Sequence, residues 1–131
     1  MGTTGIIQAS LLTLLMLWPV QALDAWEYME IDAARRDGQA FGLAAGDLTG
    51  DGYVDIVAGG YFYRNPGSEG GAWGRVDLGQ KDALLTLDID NDDNGDVIAV
   101  NTSGCYWLEA EDSSGSSWSS KKISDIYADD H

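Results

Sequence analysis

Cysteine, histidine, proline and positive charge are all scarce in this chain of 131 residues, which has one Cys, one His, two Pro and seven Lys plus Arg. Each shortage removes a class of explanation. A lone cysteine, Cys105, cannot close an intramolecular disulfide, so no cysteine framework staples the domain. One His and one Cys exclude an all-protein zinc site. That single His is residue 131, which leaves neither a Ser-His-Asp set nor a Cys-His pair. Seven basic residues against 22 acidic ones give a formal charge of −15, with no electrostatic footprint for nucleic-acid phosphates or anionic lipid. Helical periodicity is also missing outside an apolar run near the N-terminus.

What the chain does have is aspartate: 17 of its 22 acids are Asp and five are Glu. Solvated acidic helices favour Glu, whereas Asp concentrates in turns, caps and oxygen-rich metal loops. Disorder is excluded by composition, because 44% of residues are hydrophobic and 10% aromatic. The length fits one domain.

Residues 6–20 form an uncharged apolar run. A bilayer span needs roughly 20 such residues, so fifteen suits the h-region of a secretory signal. Val20-Gln21-Ala22 supplies a small-residue cleavage site, which predicts a signal helix over 1–22, Leu23 as the first mature residue and 109 residues thereafter. The missing Lys or Arg before the run is off-pattern, and an uncleaved anchor or a buried core helix is the alternative. Export predicts a secreted, extracellular or periplasmic protein in calcium-rich surroundings, with no membrane association after cleavage. Cys105 is expected to be a small apolar residue on the inner face of a strand.

The rest of the chain repeats. Phe41 to Ala58 superposes on Asp82 to Ala99 at an offset of 41, aligning Asp47, Asp51 and Asp55 with Asp88, Asp92 and Asp96. Downstream the offset drifts, and Tyr61-Phe62-Tyr63-Arg64-Asn65-Pro66 is matched to Cys105-Tyr106-Trp107-Leu108-Glu109-Ala110. Trp26, Trp73 and Trp118 recur at spacings of 47 and 45. Each unit reads as four short strands: one before the acidic loop, one after it, an aromatic strand and a Trp strand. Repeats of this length and strand count predict an all-β fold of two four-stranded antiparallel propeller-type blades, an incomplete β-propeller. The predicted divisions are 23–36 as the outer strand of a preceding blade, 37–78 as repeat 1, 79–125 as repeat 2 and 126–131 as the start of a further repeat.

Both acidic loops carry oxygen side chains at relative positions 1, 3, 5 and 9: Asp47, Thr49, Asp51 and Asp55, then Asp88, Asp90, Asp92 and Asp96. The alternation aims every second side chain at one centre, and the backbone carbonyl of Tyr53 or Asn94 at position seven can add another ligand. Hard oxygen ligands in a flexible ring suit Ca2+. The second loop has Asp93 where the first has Gly52. A frame shifted to Asp90, Asp92 and Asn94 puts Gly95 at the turn but Ile98 at position nine, so the repeat frame is kept. An EF-hand would need Glu at position twelve, where Ala58 and Ala99 stand, and helices on its flanks. Dockerin modules fail likewise for want of a following helix.

Phe41-Gly42, the loop Gly46 to Val57 and the following Gly59-Gly60 resemble an FG-GAP/VCBS repeat, the calcium-loop blade of integrin alpha-chain propellers and many secreted bacterial proteins. Leu87 to Asp92 with Asp96 to Ala99 is similar to a second copy. The resemblance covers roughly residues 24–131 and implies, in a full-length member, a ring of seven blades. Two blades make this a short or truncated member, expected to be marginally stable or to self-associate through open blade edges.

Function is then expected to be that of an exported, non-enzymatic calcium-binding module for binding or scaffolding, with a structural metal and a protein or carbohydrate ligand. Tyr61, Tyr63, Tyr106 and Trp107 could stack on a sugar, though packing is the favoured role for them. The alternative that the resemblance admits is the propeller portion of a carbohydrate-active enzyme, of polysaccharide lyase or sugar dehydratase type. Paired carboxylates, which glycosidic chemistry would use, occur only inside the loops assigned to calcium.

Overall fold

Runs of β-branched and aromatic residues four to seven long, broken by Gly, Asn and Asp, form eight strands in the computed structural model, which describes residues 28–34 and 42–125. The first four are β1 (Leu43–Gly46), β2 (Asp55–Ala58), β3 (Tyr61–Arg64) and β4 (Gly74–Asp77). The second four are β5 (Asp82–Leu87), β6 (Asp96–Asn101), β7 (Gly104–Ala110) and β8 (Trp118–Ser124). Each quartet is an antiparallel meander, in the orders β1-β2-β3-β4 and β5-β6-β7-β8. The predicted all-β architecture of two four-stranded sheets is thus observed, strand for strand. The predicted signal helix and Trp26 lie outside the described residues, as do residues 126–131. Residues 28–34 hold a bend and a turn but no strand.

The two sheets pack face to face. The inward row of the first is Ala44, Val57, Phe62 and Val76, which are cross-strand partners in turn. It meets Ala83, Val97, Ala99 and Leu108 of the second, with Leu48 and Leu78 closing the ends. Phe62 is fully buried, and its ring lies 5.4 Å from that of Trp118, tilted by 53°. Burying such a ring contributes about 1.5–3 kcal/mol. Close approach depends on missing side chains. A Cβ on Gly42 would sit 2.2 Å from the Ala83 carbonyl oxygen, and one on Gly60 only 1.7 Å from that of Gly79.

The second hairpin corrects the predicted alignment of the aromatic strands. Ala58 pairs with Tyr61 across a two-residue turn, and Ala99 pairs with Tyr106. The second hairpin therefore has two further pairs, Val100 with Cys105 and Asn101 with Gly104, before its own two-residue turn. Tyr61 corresponds to Tyr106, not Cys105, so the offset rises from 41 to 45 and Arg64 falls on Glu109. Cys105 is consequently half-buried on the outward side of its sheet, opposite the core-facing Tyr106 and Leu108, and not on the inner face. A one-residue slip exchanges the two faces of a strand, which is why both expectations failed together.

Candidate metal centre

The two acidic loops leave β1 and β5 and return into β2 and β6, and their acids build the turn before any ion is considered. The N–H groups of Asp51 and Gly52 donate to the Asp47 carboxylate at 3.1 and 2.8 Å. Those of Asn91, Asp92 and Asp93 donate to Asp88 at 2.7, 3.2 and 3.1 Å. Asp51 accepts from the Tyr53 N–H at 3.0 Å, and Asp92 from the Asn94 N–H at 2.9 Å. Short carboxylates that bond the backbone a few residues ahead curl the chain into such turns.

The last acid of each loop is fully buried and fastens the loop to its sheet. Asp55 accepts from Leu48 N–H at 3.1 Å and Asn65 N–H at 2.8 Å. Asp96 accepts from Ile89 N–H and Ala110 N–H, both at 3.1 Å. Burial pushes the Asp55 carboxyl above its ordinary value, against the opposing pull of the Asn65 and Leu48 N–H groups. Backbone angles confirm the repeat frame. Gly50 and Gly52 have φ of 69° and 88°, and Asn91 and Asp93 repeat them at 62° and 70°. Asn and Asp tolerate this left-handed region best among residues with a side chain.

The loops differ in what their remaining acids do. In the second, carboxylate oxygens of Asp88, Asp90 and Asp96 lie within 4.8 Å of one another, a group that could hold a metal ion. Asp90 is pushed above its ordinary value by desolvation first, then by the Asp92 and Asp96 charges and a hydrogen bond shared with Glu109. Glu109, on β7, is itself held below its usual range by Lys121 and Ser119. Asp92 does not join the group: one oxygen takes the Asn94 N–H, the other the Asn94 side-chain amide at 2.8 Å.

In the first loop Thr49 stands in the place of Asp90, and its hydroxyl donates to Asp55 at 3.4 Å. Asp51 accepts from the Arg64 guanidinium at 3.3 Å. Among the described residues no three carboxylates converge there. Tyr53 packs its ring against Gly67, where a Cβ would come within 2.9 Å of it. Arg64 and Glu109, at equivalent positions with opposite charge, are the residues sequence reasoning missed. The signal for them was the hairpin length, because two added residues per strand keep every side chain on its face.

The two loops also touch. The Gly95 N–H donates to the Leu48 carbonyl at 2.9 Å, and Asp47, Leu48, Asp88 and Asp93 line the cleft between them. Of the four strand aromatics one is buried and three are half-buried, each of the three with a basic side chain over its ring. Tyr63 is buried, with its hydroxyl donating to Asp32 at 2.9 Å. Arg75, Lys81 and Lys121 lie over the rings of Tyr61, Tyr106 and Trp107 at 5.4, 5.2 and 4.1 Å from the ring centres. The donor set around Asp88 is oxygen alone, the kind that suits a hard divalent cation. No known protein family, characterised protein or solved structure matches the chain.

Proposed function

We propose that this protein is an exported calcium-binding β-repeat module of FG-GAP/VCBS type, serving binding or scaffolding, with the metal in a structural role. The observation that carries the reading is the convergence of Asp88, Asp90 and Asp96 within 4.8 Å. Three carboxylates held this close repel one another, and a divalent cation removes that cost while tying β5 to β6. In this reading Asp88, Asp90 and Asp96 hold the ion, with the Asn94 carbonyl and Asp92 completing the shell after Asp92 releases the Asn94 amide. Asp47, Thr49, Asp51, Tyr53 and Asp55 form a weaker site, because Arg64 already neutralises Asp51.

Support for export is the uncharged apolar run over residues 6–20. Support for a structural metal is the burial of Asp96, whose oxygens also accept backbone N–H groups from the loop and from β7. Thermal unfolding in calcium and in excess chelator tests the reading. Calcium should raise the melting temperature, since an ion that binds only the folded state stabilises it by mass action. Identical melting curves in the two conditions would refute it.

A further inference from the structure

We propose that Asn94-Gly95 is a latent self-modification site, a pair set to cyclise to a succinimide, which the contact between the two acidic loops keeps shut. Asn is a thermolabile residue, and it cyclises most readily before Gly, where no Cβ shields the backbone nitrogen. The first loop has no such pair, because Tyr53 and Val54 hold the aligned places. In the second loop the fold demands the glycine, since a Cβ at position 95 would meet the Leu48 Cα at 2.6 Å. Asn94 is fixed by its neighbour: its N–H and its side-chain amide both donate to Asp92, at 2.9 and 2.8 Å.

The reaction needs only water. The Gly95 nitrogen attacks the side-chain carbonyl carbon of Asn94, and a bond forms between them. The bond from that carbon to Nδ2 breaks, the Gly95 proton passes to solvent, and Nδ2 takes up a proton and leaves as ammonia. Water then opens the ring at either carbonyl, giving aspartate or, with one extra methylene in the backbone, isoaspartate. In the folded loop both reacting groups are held. The Gly95 N–H donates to the Leu48 carbonyl at 2.9 Å, so its proton is not free to leave. Leu48 is buried and tied through its own N–H to the buried Asp55 at 3.1 Å, so the acceptor does not follow a shift of the glycine. The Asn94 amide is turned back to Asp92. Solvent is nonetheless at hand: Asn94 and Gly95 are only half-buried, and a cleft of about 230 Å³ lined by Asp88, Asp93 and Gly95 opens beside them. Opening of the contact between the loops therefore starts an irreversible change, and isoaspartate would lengthen the chain between Asp92 and Asp96 and destroy their spacing.

Mass spectrometry of the full chain, held at mildly alkaline pH in buffer and in guanidinium chloride, tests this. Peptide mapping places the change and separates aspartate from isoaspartate. Chelator in every sample makes the outcome independent of the calcium reading. In guanidinium chloride Asn94 should convert before Asn65, Asn91 and Asn101. In buffer its conversion should be roughly ten-fold slower or more, because hydrogen bonds to Leu48 and Asp92 must open first. Asp92 is exposed, so Asp92→Ala should keep the wild-type circular dichroism and convert several-fold faster than the wild type in buffer. Equal wild-type rates in buffer and in guanidinium chloride would overturn the proposal, as would another asparagine converting ahead of Asn94 in guanidinium chloride. An Asp92→Ala protein with the wild-type circular dichroism and the wild-type rate would overturn it too.

Discussion

Gly95 and Leu48 join the two acidic loops: the Gly95 N–H bonds the Leu48 carbonyl at 2.9 Å, and a Cβ on Gly95 would lie 2.6 Å from the Leu48 Cα. Backbone packed against backbone cannot yield as a flexible side chain would. Gly95→Ala should therefore cost about 1–3 kcal/mol, the usual penalty of forcing atoms into a filled site. Chemical denaturation followed by tryptophan fluorescence checks it, and a change within about 0.5 kcal/mol would show the contact to be dispensable.

The opposite charges at Arg64 and Glu109 make the two loops unequal. Glu109→Arg would give the second loop the pairing the first already has. Glu109 already pairs with Lys121, so the calcium-free protein exchanges one exposed ion pair for another and should change little in stability, while calcium affinity falls. The melting temperature should fall in calcium and stay nearly constant in chelator. Parallel shifts would mean that Glu109 does not sense the metal.

Asp93 holds a φ of 70° at the turn where the first loop has Gly52. Asp93→Gly removes that strain and one of the crowded charges. Stability without calcium should rise by up to about 1 kcal/mol, less the entropy glycine loses on folding. Denaturant midpoints of the two proteins in chelator measure it.

Asp112 organises the β7–β8 turn, accepting from the N–H and hydroxyl groups of Ser114 and Ser116 and from the Ser117 N–H at 2.8 Å. Hydrogen bonds from the Ser114 and Ser116 side chains come first in holding its carboxyl far below the ordinary 3.8. A carboxyl depressed on folding contributes stability that is fully present above its unfolded pKa and is lost as pH falls towards the folded one. The gap in stability between wild type and Asp112→Asn should therefore be constant near neutrality and shrink below about pH 4. Melting curves from neutral to acid pH in both proteins check it.

The loop acids were legible in the sequence because their spacing is repeated, and a repeated spacing fixes a frame. Gly50 and Gly52 against Asn91 and Asp93 carried that frame into the backbone. The aromatic strands were less legible. A two-residue turn lets a hairpin grow only by pairs, and Val100, Asn101, Gly104 and Cys105 are two such pairs. Aligning by aromatic content put Tyr61 on Cys105, and that slip hid Glu109 from the site. Which loop gathers three carboxylates was legible only in part, in Asp90 against Thr49, because Arg64 and Glu109 reach in from β3 and β7.

Calorimetric titration of calcium into the wild type and into Asp90→Asn is the most direct test of the central claim, that the second loop binds calcium. Asp90 is exposed, so the substitution should leave the fold intact. The wild type should show a saturable binding event that Asp90→Asn weakens roughly ten-fold or more, equivalent to about 1.4 kcal/mol. No calcium-dependent heat in the wild type, or the same affinity in both proteins, would contradict the account.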